Sequence, residues 1–225
     1  MRTNKNKPTN LVSIGVVKVI EVNVTLSDGT NREISIPSKS KVVDLTKKSI
    51  IAIDLTELDQ LSDLEELILC GNRLMTIDLT VLAFCANFRQ LNVSDNNLQI
   101  VNLDSLRYCT HLEQLDMSHN QILRVNLSAI SECKNLVTLN LEKNRLVNLD
   151  VSPISKCWKL ERFNLLENPL KRLDITPLFL CASLRELLVP ETTRLVSKIK
   201  RDIQPLNPPA LNELIERNRI EFVLE

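Results

Sequence analysis

Cysteine, histidine, serine and aspartate are the residue types in this chain that could support catalysis or metal binding, and their spacing argues against both. Five cysteines recur every twenty-four residues, so none forms the C-x-x-C pair typical of zinc sites. The histidines are His111 and His119. Ser118, His119 and Asp116 contain the elements of a serine–histidine–acid triad, but adjacent residues on a strand alternate faces and cannot converge. We therefore predict a non-catalytic protein with no metal and no cofactor.

A row of acids and amides recurs at the same interval and could suggest calcium. Its members are Asp54, Asp78, Asn102, Asn126, Asp150 and Asp174. One such side chain per repeat is too few for a cation that takes about six to eight oxygen ligands, so structural hydrogen bonding is favoured. Residues of N-cap type follow two positions later, at Thr56, Thr80, Asp104, Ser128, Ser152 and Thr176. They predict short helical turns on the outer side of the molecule.

The same interval of twenty-four residues governs the whole middle of the chain. Asparagines stand at positions 72, 96, 120, 144 and 168, and cysteines at 85, 109, 133, 157 and 181. The repeat frame is L-x-x-L-x-L-x-x-N-x-L-x-x-I-[DN]-L-[ST]-x-L-x-x-C-x-x. A fixed period of about twenty to fifty residues indicates one small unit stacked many times, each copy burying its apolar side against the next.

This frame resembles the leucine-rich repeat family, whose signature L-x-x-L-x-L-x-x-N/C-x-L is clear from Leu64 to Leu170. The resemblance implies an α/β solenoid, a horseshoe with a parallel concave β-sheet and short convex helical turns. The residues agree, because Leu115 and Met117 alternate with polar neighbours as in a half-buried strand. We expect the asparagine side chains to bond to the buried turns that follow the strands.

The chain divides into four predicted segments. Residues 1–10 are expected to be a disordered basic tail, residues 11–39 an N-terminal β-hairpin cap, residues 40–189 an array of about six or seven repeats, and residues 190–225 a C-terminal cap. Leu195, Ile199 and Ile203 predict an amphipathic stretch, followed by a helix and a final strand. A partner-binding role for this C-terminal segment is the alternative.

Composition and charge limit the partners. Lysine plus arginine equals aspartate plus glutamate at 28 each, so no global field attracts nucleic acid or an anionic membrane. Nucleic-acid binding would need the basic tail and Arg194, Lys198, Lys200 and Arg201 to form one patch. Arg2, Lys5 and Lys7 precede an apolar run from Leu11 to Ile20, but Lys18 and Glu21 argue against a secretory signal.

The repeated cysteines occupy an apolar position of each unit and are expected to pack as buried free thiols. We therefore predict a reduced, cytoplasmic protein, and a monomer unless an edge strand of the sheet pairs with another copy. Cys70 departs from the pattern and should face the concave side. Trp158 could mark a second contact on the convex side.

Function is expected on the outward-facing strand positions, where the repeats differ from one another. The predicted partner-binding residues are Glu66, Ile68, Cys70, Gln90, Asn92, Gln114, Asp116, Thr138, Asn140, Glu142, Arg162, Asn164, Leu166 and Leu188. Seven strands would give a track of roughly 29 Å, long enough for a peptide or a helix. We predict a protein–protein interaction module; the alternative is a regulatory subunit or adaptor of an enzyme such as a phosphatase or a small GTPase.

Overall fold

The computed structural model describes residues 18–199 and 207–223, and a sheet of seven short parallel strands forms its centre. The strands are β1 (Val19–Leu26), β2 (Asn31–Pro37), β3 (Val42–Asp44), β4 (Ile50–Ile53), β5 (Glu66–Ile68), β6 (Gln90–Asn92), β7 (Gln114–Asp116), β8 (Thr138–Asn140), β9 (Arg162–Asn164), β10 (Arg172–Asp174), β11 (Glu186–Leu188), β12 (Arg194–Ser197) and β13 (Ile220–Phe222), with one helix, α1 (Pro209–Glu216).

The central sheet takes one strand from each repeat, in the order β11-β9-β8-β7-β6-β5-β3. All six pairs are parallel, and each residue lies beside the equivalent residue of the next repeat. Leu91, for example, lies beside Leu115, and Leu115 lies beside Leu139. Equivalent residues of successive repeats therefore form straight columns across the sheet. The parallel solenoid that the family resemblance implies is confirmed.

The apolar positions of the frame form a continuous core. In the repeat that begins at Leu112, the side chains of Leu115, Met117, Ile122 and Ile130 are fully buried. Burial of one such side chain contributes roughly 1.5–3 kcal/mol relative to exposure. Because the same positions are buried in the neighbouring repeats, each unit covers the apolar side of the next.

Six turns of 3-10 helix line the outer side, each five residues long. They are Thr56–Gln60, Thr80–Phe84, Asp104–Tyr108, Ser128–Glu132, Ser152–Lys156 and Thr176–Leu180. The turns agree with the prediction, but the assignment of their first residues as N-caps is wrong. The Thr56 N–H instead donates to Asp54 Oδ1 at 3.0 Å, and the same bond joins Ser128 to Asn126 at 2.9 Å. The side chains of the acid and amide row therefore accept the hydrogen bonds from the first N–H groups of the turns.

The N-terminal hairpin is confirmed, and a third strand extends it. β1 pairs with β2 in antiparallel register, and β4, from the return segment of the first repeat, pairs with the other edge of β1. Ile20, Val22 and Val24 point from β1 into the core and are buried. The hairpin thus covers the first unit along its return side. The predicted tail and residues 11–17 lie outside the described residues.

The C-terminal segment contains the predicted helix and final strand, but its first part differs from the prediction. Leu195 belongs to a strand, β12, which lies between β10 and β13 in a second parallel sheet. Two adjacent residues, Leu195 and Val196, are both buried, as happens in a strand that is covered on both faces. The amphipathic interpretation is therefore wrong for this part, and Ile203 lies outside the described residues.

Candidate functional site

Three columns of side chains cross the outward side of the central sheet, and we call this surface the concave face. The first column is Val42, Glu66, Gln90, Gln114, Thr138, Arg162 and Glu186; the middle column is Asp44, Ile68, Asn92, Asp116, Asn140, Asn164 and Leu188; the third is Thr46, Cys70, Ser94, Ser118, Glu142, Leu166 and Pro190. The strand register places the members of the first and middle columns side by side. All fourteen predicted partner-binding residues belong to these columns.

The polar members of the middle column are partly engaged by their own backbone. Asp116 Oδ1 accepts the N–H of Ser118 at 2.9 Å, and Asn140 Oδ1 accepts the N–H of Glu142 at 3.1 Å. The same bond recurs at Asp44, Asn92 and Asn164. Short side chains that bond to a backbone N–H two residues ahead are typical of Asx turns. These five side chains therefore fix the ends of their strands with one oxygen each. The second polar atom of Asp116 and that of Asn140 have no partner among the described residues.

The side chains of the first column are less engaged in hydrogen bonds within the protein. The side chains of Glu66, Gln90, Gln114 and Thr138 make no hydrogen bond to any of the described residues, although they lie on four neighbouring strands. Gln114 is exposed, and the other three are half-buried. Further along the column, Arg162 forms an ion pair with Glu186. Uncommitted donors and acceptors in a row can bind a partner at no cost in lost intramolecular bonds.

The third column is more buried than the sequence suggests. Ser118 is buried, and Cys70 and Leu166 are half-buried. In the middle column Asn164 is buried as well, and its Nδ2 donates to Glu142 Oε2 at 3.0 Å. These side chains present less of their surface to a partner than Gln114 or Arg162.

The concave face contains a depression of about 440 Å³ over the strands β6, β7, β8, β9 and β11 of the central sheet. Its lining includes ten of the predicted residues, among them Gln90, Asn92, Gln114 and Thr138. The three described columns contain five acidic residues, Asp44, Glu66, Asp116, Glu142 and Glu186, against one basic residue, Arg162. This face is thus negatively charged although the whole chain has equal numbers of acids and bases.

A column of unusual backbone geometry borders this face. Lys47, Asp95, His119, Lys143 and Glu167 each have φ between 52° and 53°. The equivalent residue of the second repeat is Gly71, with φ of 70°. This left-handed conformation turns the chain sharply after each strand and is unfavourable for residues other than glycine.

The asparagine ladder supports the sheet from behind. Asn120 Oδ1 accepts the N–H of Leu98 at 3.0 Å, and its Nδ2 donates to the carbonyl oxygens of Val93 and Met117 at 3.0 and 3.2 Å. Asn72, Asn96, Asn144 and Asn168 make equivalent bonds. Each amide therefore satisfies backbone groups of its own repeat and of the preceding one, as predicted.

The cysteine ladder lies in the core beside the outer turns. The thiol of Cys133 donates to the carbonyl oxygen of Leu106 at 3.3 Å, and Cys109, Cys157 and Cys181 bond in the same way to the preceding turn. All five ladder thiols are free and buried. Burial raises the pKa of Cys133 to about 12 and that of Cys157 to about 11. These groups are therefore packing residues with little thiolate character.

Within residues 18–199 and 207–223, no cluster of three or more histidine, cysteine or acidic side chains could hold a metal ion. Asp116 bonds to the backbone of Ser118, whereas His119 lies exposed on the next turn. No helix of the described segments is long and apolar enough to cross a bilayer.

The sequence-based prediction missed three basic residues on the return segments: Arg124, Arg145 and Arg172. Their columns are irregular, since the positions equivalent to Arg124 hold Thr76, Ile100, Asn148 and Arg172. The signal was present as departures from the repeat, but it emerges only when the return segments are placed side by side. Together these residues line a groove separate from the concave face.

Two family profiles match the chain. The profile described as Leucine rich repeat matches residues 41–122, and the one described as BspA type Leucine rich repeat region (6 copies) matches residues 104–201. The two ranges together contain every strand of the central sheet. No curated protein shows significant sequence similarity to the chain.

Solved structures of repeat proteins share the fold. The Arabidopsis receptor kinase HAESA, in complex with the peptide hormone IDA and the co-receptor SERK1, is 24% identical over 73% of this chain and 28% of its own, with a TM-score of 0.63. A leucine-rich repeat protein of Leptospira interrogans is 20% identical over 76% of this chain and 41% of its own, with a TM-score of 0.55. An internalin of Listeria monocytogenes is 18% identical over 73% and 50%, with a TM-score of 0.51. The chain thus spans half or less of the length of each.

Proposed function

The chain belongs to the leucine-rich repeat family, and we propose on that basis that it is a non-catalytic module that binds a protein partner through its concave face. The observation that carries the proposal is the row of uncommitted polar side chains in the first column, from Glu66 through Gln90 and Gln114 to Thr138. A surface that served only for solubility would not need four such groups in register on neighbouring strands.

The character of the partner follows from the charges on this face. Five acids and one arginine favour a segment that presents lysine or arginine together with backbone N–H groups. The Nδ2 of Asn140 and the second carboxylate oxygen of Asp116 have no partner among the described residues, and they add one donor and one acceptor at the centre. Ile68 at one end and Leu188 at the other provide apolar contacts. The partner segment is therefore expected to be basic, with apolar residues toward its ends.

The size of the surface suits an extended peptide or one helix of a larger protein. Seven strands at the usual spacing span about 29 Å. One of the similar receptor structures is a complex with a peptide hormone, which shows that this fold can present a peptide-binding surface. We propose that this chain presents a surface of the same kind to a partner of its own.

The buried thiols support the proposed location in a reducing compartment. Five of the six cysteines are buried and unpaired, and an oxidising environment would expose newly made chains to incorrect disulfides before the thiols are covered. The cytoplasm is the compartment that we propose, and the monomeric state also stays a prediction.

The proposal can be tested by affinity capture from a native extract with three forms of the protein. The concave variant carries Gln114→Lys and Thr138→Lys, whose native side chains have no partner among the described residues. The control variant carries Gln99→Lys and Thr110→Lys, the same substitutions at exposed positions off this face. A partner retained by the wild type and the control but lost by the concave variant supports the proposal. Capture that is equal for all three would refute it.

A further inference from the structure

A second groove, of about 1110 Å³, runs along the return segments of the middle and last repeats. We call it the lateral groove, and its lining includes Leu123, Arg124, Arg145, Val147, Arg172 and Lys198. It shares no lining residue with the depression on the concave face. Whatever binds in it therefore need not compete with a concave partner.

Three arginines of the lateral groove form no ion pair with the described residues. Arg124, Arg145 and Arg172 are exposed, and none lies within ion-pair distance of a carboxylate of the described residues. This contrasts with Arg89 and Arg162, which lie outside the groove and each form an ion pair. The groove therefore presents cationic groups that are available to a ligand.

The acids that line the groove, and Glu221 beside it, are engaged elsewhere. Asp150 Oδ1 accepts the N–H of Ser152 at 2.9 Å, and Asp174 Oδ1 accepts the N–H of Thr176 at 3.0 Å. Glu221 is near Arg172, but both of its oxygens bond to Arg194 at 2.5 Å. Even with Asp150 and Asp174 counted against its four basic residues, the lining keeps an excess of positive charge.

Apolar side chains lie between the arginines. Leu123 is 49% exposed and Val147 is 43% exposed, and they occupy equivalent positions of adjacent repeats. Aliphatic side chains side by side on an otherwise polar surface are a common feature of protein-binding sites. A ligand that used only its negative charge would leave both of them uncovered.

The backbone along the groove is also open. Ile100 and Arg124 form an isolated parallel bridge, and farther along β10 pairs with β12. Between them, residues 148–150 pair with neither neighbour in the described part of the chain. The ladder of the return segments is therefore interrupted where the groove lies, and its free N–H and C=O groups could bond to an extended chain.

We propose that the lateral groove binds an extended acidic segment of a partner protein. Its carboxylates pair with Arg124, Arg145 and Arg172, and its apolar side chains cover Leu123 and Val147. The guanidinium groups suit carboxylates because they can bond through two N–H groups at once. Nucleic acid is less suited, because the groove has no aromatic side chain on which bases could stack.

The test uses a fluorescent synthetic peptide of alternating glutamate and leucine or valine, with a lysine-for-glutamate peptide of the same length for comparison. The groove variant combines Arg124→Glu, Arg145→Glu and Arg172→Glu. A matched control combines Lys39→Glu, Arg73→Glu and Lys156→Glu, which changes the net charge equally at exposed cations outside the groove. The groove variant should bind the acidic peptide at least about tenfold more weakly than the wild type, and the control less than about threefold.

The outcomes separate this proposal from general attraction between opposite charges. Equal weakening in both variants would overturn it, and so would failure of the wild type to bind the acidic peptide. Tighter binding of a single-stranded oligothymidylate than of the peptide would assign the groove to nucleic acid instead. Thermal unfolding of both variants at the wild-type temperature shows that any loss is local. The proposal is independent of the concave site, because Gln114→Lys with Thr138→Lys should leave peptide binding unchanged.

Discussion

The side-chain amide of Asn120 donates to the carbonyl oxygen of Val93, in the preceding repeat, at 3.0 Å. The same side chain accepts the N–H of Leu98 at 3.0 Å. Its Nδ2 also donates to the carbonyl oxygen of Met117, in its own repeat, at 3.2 Å. One buried residue therefore satisfies backbone groups on both sides of a repeat boundary. The ladder of asparagines is thus a set of links between repeats.

Replacement of this amide should reduce stability strongly. Asn120→Leu leaves the N–H of Leu98 without a partner in the core. It also removes one of the two donors to the carbonyl oxygen of Val93, which keeps its bond from Asn96 Nδ2 at 3.1 Å. At about 1–3 kcal/mol for the unsatisfied N–H and about 1 kcal/mol for the lost bond to Val93, we expect a loss of roughly 2–4 kcal/mol in the free energy of unfolding. Urea-induced unfolding measures it.

The matched control is Asn126→Leu in the same repeat. Asn126 is exposed and bonds only within its own turn, to Ser128. Its replacement should cost about 1 kcal/mol. Similar losses for the two variants would show that the ladder does not carry the stability assigned to it.

Thiol reactivity should divide the cysteines into one accessible and five inaccessible groups. Cys70 is half-buried, and the five ladder cysteines are buried. At pH 8 a thiol reagent should modify Cys70 in the native protein, and all six cysteines after unfolding in denaturant. Cys70→Ala should abolish the native reaction. Rapid modification of a second thiol in that variant would contradict the buried ladder.

Stability should fall in alkaline solution because of the same ladder. Burial raises the pKa of Cys133 from its ordinary value of 9.0 to about 12. Between these values the unfolded chain releases a proton that the folded chain retains, so a rise in pH favours unfolding. Each such thiol lowers the free energy of unfolding by at most about 1.4 kcal/mol per pH unit. Cys133→Ala should reduce the pH dependence of the free energy of unfolding by about the contribution of one thiol. An unchanged pH dependence would show that the buried thiols do not cause it.

The left-handed column offers a stabilising substitution. Lys143 has φ of 52°, a conformation that glycine adopts without strain. Lys143→Gly should therefore raise the free energy of unfolding by roughly 0.5–1 kcal/mol. Lys156→Gly, in a helical turn, serves as the control and should lower it.

The reverse change tests the same geometry. In Gly71→Ala the new methyl group would lie 2.6 Å from Lys47 Cγ, and φ is 70°. This variant should lose stability, although the flexible lysine side chain can move away. A gain of stability in Gly71→Ala, or a loss in Lys143→Gly, would contradict the account of this column.

Much of the architecture could be predicted from the sequence because the same pattern of residues recurs in successive repeats. The asparagines, the buried cysteines and the strand register follow from one period, and five near-complete copies define it. The middle column was predicted to face outward, but its Asx bonds were not foreseen. Asp116 and Asn140 each have a backbone role, so they are poor positions for a binding test, and Gln114 and Thr138 are better.

Features outside the period were harder to predict. Leu195 belongs to β12 rather than to an amphipathic stretch. The strand is covered on both faces, and over a short length such an apolar segment cannot be distinguished from part of a helix by its pattern. The lateral groove depends on Arg124, Arg145 and Arg172, which come from three successive repeats. Arg124 and Arg172 occupy equivalent positions of the repeat, and Arg145 does not. Only the packing of the return segments shows that they line one surface.

The most direct test of the concave binding surface is site-specific photo-crosslinking. A benzophenone side chain is placed at Thr138, in the first column, or at Thr110, an exposed position on the outer side, and each protein is irradiated in native extract. We expect a crosslink from Thr138 to the protein that the wild type captures, and none from Thr110. A crosslink from Thr110, or none from Thr138, would contradict this expectation.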